Sequence, residues 1–269
     1  MKKLNYFVQF IFIIIFFTIF KLVGLKNASL VGSFLGMFLG PYFRSKKIIN
    51  KNLNICFENI TSDEVSAISS AMWSNIGRTF AEYVFLKNFL KNKDFVKING
   101  LEYLEEIKKK NEKVIFVSGH FANFELMAMH LNLNGIKLAA IYRPLNNIFL
   151  NPLMEYLRKK YICPIQIKKG KDGLKKLLSA FKNGVSIALM IDQRVSQGIK
   201  VNLFSLPAFT TTIPAQFVLR YNCKIVPIYI ERKNSTNFIM NIKEPLEFGN
   251  LDKNKNNVEQ ITLKLNQII

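Results

Sequence analysis

Apolar and polar positions divide the chain into a hydrophobic N-terminal part and a longer part in which short apolar runs alternate with amphipathic stretches. From Leu4 to Phe20 the run is broken only by Asn5, Gln9 and Thr18. With Leu22 and Val23 it reaches the roughly 20 residues that a helix needs to cross a bilayer. A cleaved signal peptide would also begin with basic residues and an apolar core. No small-x-small cleavage site follows this one, so the pattern predicts a retained transmembrane anchor over residues 1–25. Ala28 to Phe43 is apolar and glycine-spaced but short for a second span. It reads as part of a membrane-interfacial segment, 26–60, with Pro41 ending it and Arg44, Lys46, Lys47 and Lys51 meeting anionic headgroups. A packed helix of the following domain is the other reading of the same stretch.

Residues 61–269 alternate between helix and strand periodicities. Thr61 and Glu64 make a capping box at the start of a helix predicted to run to Asn88, with Val65, Ile68, Met72, Ile76, Phe80 and Val84 as its apolar stripe. A short amphipathic helix is predicted over Leu101–Lys110, followed by strand 114–117 and a helix from about Asn123 to Leu133. Next come strand 138–142, helix 151–160, strand 164–167, a basic loop Lys168–Lys176 entering a helix, and strand 185–191. Gly198–Pro207 reads as a loop and short strand. Thr210–Thr212 precede a helix over 213–221 with Pro214 in its first turn. Segments 224–230 and 238–243 read as an antiparallel pair closing the sheet. Asn250–Asn257 is polar and reads as mobile. The expected fold class is α/β: a mixed, mostly parallel sheet flanked by helices, in one domain behind a membrane anchor.

Charge sharpens this picture. The chain carries 38 basic and 18 acidic residues, a net charge of +20, with 49% hydrophobic residues and 24 Phe. So basic a chain calls for an anionic partner, nucleic acid or anionic membrane lipid. No nucleic-acid-binding signature occurs, and the apolar N-terminus selects the membrane. Lys21, Lys26, Arg44, Lys46, Lys47 and Lys51 outnumber Lys2 and Lys3, which by the positive-inside rule puts the main domain in the cytoplasm. The three Cys (Cys56, Cys163, Cys223) are scattered and only two His occur, which argues against a disulfide framework or a zinc site.

The candidate chemistry lies in KVIFVSGHFANFE, Lys113–Glu125. Here a buried-looking strand ends in Ser118-Gly119, His120 follows, and a helix begins five residues on. A His at the carboxyl end of such a strand sits where open α/β sheets place their sites. Glu125, in the first helical turn, is placed to accept a bond from one ring nitrogen, leaving the other to take a proton. Spacing alone equally allows a turn histidine and an acid that complements the helix dipole. His130 reads as a core or surface residue of the same helix. Strand 185–191 ends in Asp192-Gln193-Arg194, and an acid there, opposite a strand-end His, suggests a shared site. The same position equally suits an acid that orients Arg143 or Arg194, or one that only ends its strand.

Three ordered blocks resemble a known family. Gly119-His120-Phe121 with Asn123 and Glu125 is similar to the GHFxNxE form of the HX4(D/E) acyltransferase motif. Tyr142-Arg143-Pro144 resembles the next block, and Asp192-Gln193 with Gly198, Phe204, Pro207-Ala208 and Thr210 the third; Pro227 matches a strand proline. The family is the bacterial lipid A late (lauroyl/myristoyl) acyltransferases, related to the glycerolipid acyltransferases, and the likeness runs to about residue 245. It implies transfer of an acyl chain from acyl-acyl carrier protein to a hydroxyl of a lipid A precursor, at the cytoplasmic face of the inner membrane, with anionic inner-membrane lipids as surroundings. It implies His120 as general base with Glu125 as partner; Asn123, Arg143, Asp192, Gln193 and Arg194 as substrate-binding; and no metal, cofactor or nucleic acid.

Phe124 and Ala122 depart from the family's usual Trp and Gly. Where relatives carry an aromatic and basic tail the chain stops at Ile269, which predicts a truncated or divergent copy. Alternative readings are a lysophospholipid or glycosylated phosphatidylinositol acyltransferase, or a non-catalytic membrane lipid-binding protein.

Overall fold

The computed structural model describes residues 1–269, the side chain of Lys171 aside. Helix α1 (Lys2–Val23) is the one described helix long and apolar enough to cross a membrane. Its Leu4, Val8, Ile11, Phe12, Ile15 and Ile19 face outward, whereas Phe17 and Phe20 are buried in the core. Gly24, at φ +82°, turns the chain into α2 (Leu25–Phe43), which runs through Pro41 rather than stopping there.

After α3 (Lys46–Cys56), the long α4 (Ser62–Glu82) lies along α2. The expected capping box is present: the Thr61 hydroxyl accepts from the Glu64 backbone N–H at 3.3 Å, and the Glu64 carboxylate accepts from the Thr61 N–H at 2.8 Å. Packing of α2 on α4 differs from the expected stripe of large side chains. A Cβ on Gly36 would lie 2.2 Å from the Trp73 carbonyl oxygen, and one on Gly77 would lie 1.9 Å from that of Gly32. The two backbones touch, as helices do where small residues line the contact. The faces turned inward are therefore glycine and serine, and Ile68, Met72 and Ile76 of the expected stripe are exposed. The predicted single helix to Asn88 breaks at Glu82 into a 3-10 turn and α5 (Leu86–Lys91).

The remaining elements are β1 (Val96–Asn99), α6 (Leu101–Lys109), β2 (Ile115–Ser118), α7 (Glu125–Leu133), β3 (Leu138–Tyr142), α8 (Leu150–Tyr161), β4 (Ile165–Lys168), α9 (Lys171–Lys182), β5 (Ser186–Met190), β6 (Ile199–Leu203), β7 (Leu206–Thr210), α10 (Ile213–Tyr221), β8 (Ile225–Asn234), β9 (Asn237–Ile242) and α11 (Lys255–Ile268). Seven strands form one sheet in the order β1-β9-β8-β2-β5-β3-β4, and only β8 and β9 pair antiparallel. The α/β fold with a mostly parallel sheet is thus as expected.

Both faces of the sheet are covered. In β2, Phe116 joins the core that includes Leu126 and Met129 of α7, while Ile115 and Val117 join the one that includes Phe181 and Phe217 of α9 and α10. Burial on both sides is why the strand reads as an unbroken apolar run.

Three elements escaped the pattern. β1 lies outside β9, so the β8–β9 pair does not form the edge. β7 completes a hairpin with β6 through Phe204-Ser205, both at positive φ without a glycine to signal the turn. α11 begins inside the stretch expected to be mobile: Asn254 caps it by accepting from the Asn257 N–H at 2.9 Å, and Ile261 and Leu265 are buried.

Candidate active site

β2 and β5 are neighbours, in parallel, with Ser118 opposite Met190. The ladder continues one step further, the Ile191 N–H donating to the Ser118 carbonyl at 2.9 Å. Two residues past the paired positions the chain places His120 on one strand end and Asp192 on the other. Asp192 Oδ1 lies 2.7 Å from His120 Nδ1, and Oδ2 accepts from the His120 backbone N–H at 2.8 Å. The Asp192 carboxylate is thereby fixed through both oxygens. Burial pushes its pKa up, but the ring and backbone bonds from His120 outweigh that and hold it below the usual value. An ionised carboxylate on Nδ1 favours the tautomer protonated there, with Nε2 as the acceptor. Nε2 lies 3.3 Å from the Gln193 amide nitrogen, and the Phe124 ring packs edge-on against the imidazole at 4.7 Å.

Glu125 does open α7 in its first turn, as expected, but no hydrogen bond joins it to His120 among the described residues. Its Oε1 instead accepts from Arg158 of α8, at 2.9 Å from Nε and 2.6 Å from a terminal nitrogen, and from the Tyr83 hydroxyl. Arg158 donates to Tyr83 as well, at 2.9 Å. Burial would lower the pKa of Arg158, but Glu125 and Tyr83 more than compensate and raise it. No local pattern signals this partnership, because the three residues lie on separate elements.

His120, Glu125 and Arg158 line a cleft of about 460 Å³ whose walls include the strand ends Ala140–Tyr142 and Ala188–Met190. Arg143, Lys169, Gln193 and Arg194 are also in the lining, and the three cations among them are exposed. Four of the five expected substrate-binding residues thus gather near His120: Arg143, Asp192, Gln193 and Arg194. Asn123 does not. It is buried beneath the turn, where its amide donates to Glu82 at 2.9 Å. A second, more apolar groove of about 650 Å³ lies on the far side of Asp192, lined by Phe121, Leu203, Phe204, Leu206 and Pro207 among others. The described residues contain no cluster of three or more His, Cys, Asp or Glu able to hold a metal.

The turn itself departs from helix and strand geometry at Ala122, φ +42°. A left-handed alanine costs about 1–2 kcal/mol relative to the right-handed form, and glycine would avoid that cost. This is the position at which the resembled family usually has Gly.

Known proteins similar to this chain are lipid A biosynthesis enzymes. The lipid A biosynthesis myristoyltransferase of Escherichia coli (strain K12) is 26% identical over 203 residues, covering 74% of this chain and 61% of that protein. Lipid A biosynthesis acyltransferase 1 of Shigella flexneri gives the same values. The lipid A biosynthesis palmitoleoyltransferase of E. coli is 24% identical over 167 residues, 61% of this chain and 53% of its own. The match thus spans less than two thirds of the length of these relatives. The family model for bacterial lipid A biosynthesis acyltransferases matches residues 1–269, and the chain belongs to that family.

Proposed function

We propose that the chain is an O-acyltransferase that moves a fatty acyl group from acyl-acyl carrier protein to a hydroxyl of a lipid A precursor, with His120 as general base. The observation that carries this reading is the His120–Asp192 bond at 2.7 Å, at a histidine that lines the cleft. An alcohol at neutral pH is almost wholly un-ionised, so attack on a thioester needs a base at the hydroxyl. Nε2 takes the hydroxyl proton as the oxygen attacks the thioester carbonyl. The C–S bond then breaks, and the imidazolium returns the proton to the departing thiolate. Asp192, rather than Glu125, fixes the tautomer and stabilises the imidazolium, while Glu125 holds Arg158 and Tyr83 at the back of the cleft.

Arg143, Lys169 and Arg194 suit a phosphorylated headgroup at the cleft mouth, and the apolar groove beyond Asp192 suits an acyl chain. Residues 1–25 anchor the chain in the inner membrane, residues 26–60 lie at its surface, and the domain over 61–269 faces the cytoplasm. The outward apolar side chains of α1 and of α2 (Phe34, Phe38, Leu39) support contact of these two helices with a membrane.

The test is an acyl-transfer assay on membranes with carrier-protein thioesters of several lengths and a tetra-acylated lipid A precursor, comparing wild type with His120→Ala. Loss of about a hundredfold or more in the variant is expected, since general-base catalysis typically contributes about 10²–10⁴. Near-wild-type turnover would overturn the assignment of His120. Transfer only to a lysophospholipid would overturn the acceptor.

A further inference from the structure

Behind the cleft, on the side of the turn away from substrate, lies a second polar cluster. Glu82, the last residue of α4, is fully buried. Its carboxylate accepts from Ser29 Oγ at 2.8 Å, from Asn123 Nδ2 at 2.9 Å, and from two nitrogens of Arg232 on β8 at 2.5 and 3.1 Å. Arg232 also donates from Nε to Asn75 Oδ1 at 3.2 Å. Asn75 in turn donates to the Ala122 carbonyl at 3.0 Å, and the Thr79 hydroxyl donates to the same oxygen at 3.2 Å. Asn75, Thr79 and Glu82 share one face of α4 through the helical repeat. Together they grip two consecutive residues of the turn, Ala122 and Asn123. One of these is the left-handed alanine, a conformation that persists only where its surroundings impose it.

A buried ion pair is a weak source of stability, because desolvating both charges offsets their attraction. Its directed bonds can fix a geometry. We propose that Glu82 and Arg232 are positioning residues for the transfer reaction: they lock α4 to β8 and, through Asn75 and Asn123, hold the turn at 122–123 so that His120 meets Asp192. The proposal rests on the reading of His120 as the base. It also gives α2 a connection to the site, since Ser29 binds the same carboxylate.

The test uses the full chain in detergent micelles, labelled with 15N at histidine. The sequence has only two His, so the Nδ1–H signal of the His120–Asp192 bond is assigned by its loss in His120→Ala. Glu82→Gln and Asn123→Ala are expected to broaden or abolish that signal. They are also expected to lower kcat by about 10- to 100-fold, the scale of effect of a small misplacement of a reacting group, with KM within about twofold. Leu104→Ala, a core truncation on α6, supplies a destabilised control expected to keep both signal and kcat. Retention of signal and kcat per folded molecule in Glu82→Gln and Asn123→Ala overturns the proposal. If Glu82→Gln fails to fold, the double variant Asn75→Ala, Asn123→Ala decides, because it cuts both named links from the ion pair to the turn and leaves the pair itself. If the wild type transfers no acyl group, the function fails, and the Nδ1–H signal still decides whether the cluster holds the ring.

Discussion

The carboxylate that holds the His120 ring belongs to Asp192, 72 residues away, and not to Glu125, five residues away on the adjoining helix. Sheet order is the reason. β5 is inserted beside β2 after two intervening strands, so the ends of β2 and β5 are adjacent and their next residues converge. Glu125 points from the first turn of α7 towards α8 and meets Arg158 there.

Asp192→Asn is therefore expected to cost about 10²–10⁴ in kcat, close to the loss in His120→Ala, because an amide no longer requires the Nδ1–H tautomer. Acyl transfer by the purified variant, with thermal unfolding to confirm that it folds, is the measurement. A loss below about threefold would remove Asp192 from the mechanism.

Glu125 and Arg158 have side chains only 9% and 16% exposed. Removing one partner strands the other in a poorly solvated site. Arg158→Met is expected to destabilise the fold by about 3–5 kcal/mol, and the double variant Glu125→Gln, Arg158→Met by less than the single, because no charge is then left unpaired. Chemical denaturation of the three proteins checks this. Additive losses would show that the pair is not coupled.

The parts of the fold legible in the sequence were those that a local pattern encodes. The apolar run 114–117, the Thr61–Glu64 box and the 3.6-residue spacing of α7 each signal through neighbouring residues. So did the convergence of His120 and Asp192, because both end apolar strand-like runs and parallel sheets gather such ends. The partners of Glu125 and Glu82 were not legible: they depend on side chains from α8 and β8 that only the tertiary arrangement brings near. The stripe on α4 misled for a different reason. Large apolar residues mark a buried face only when the neighbour stands at ordinary distance, and against α2 the close approach selects Gly77, Ser74 and Ala81 instead.

That approach makes its own prediction. A side chain at Gly77 would begin 1.9 Å from the Gly32 carbonyl oxygen, a backbone atom that cannot swing aside. Gly77→Val is expected to lower stability by about 1–3 kcal/mol or more, as overpacking does, whereas Ile76→Val next to it, on the exposed side, is expected to change it by less than about 0.5 kcal/mol. Thermal unfolding in detergent measures both. Equal effects would mean that α2 and α4 do not pack this closely in the protein.

His130 supplies a pH dependence separate from catalysis. It is 2% exposed on α7, and its Nε2 has no hydrogen-bond partner among the described residues. Burial, with a smaller contribution from the Lys93 charge, lowers its pKa from an ordinary 6.5 to about 4. Between those values the unfolded chain binds a proton that the folded chain does not. Stability is therefore fully present above about pH 6.5, falls as the pH is lowered, and levels off below about 4. The loss attributable to this residue is roughly 2 kcal/mol at pH 5 and on the order of 3 kcal/mol in full. His130→Leu removes the titrating group while keeping an apolar side chain, so the difference in unfolding free energy between pH 7 and pH 5 should shrink by about that 2 kcal/mol. Denaturant titrations of both proteins at the two pH values measure the difference directly. An unchanged difference in His130→Leu would mean that this ring is not held neutral by burial.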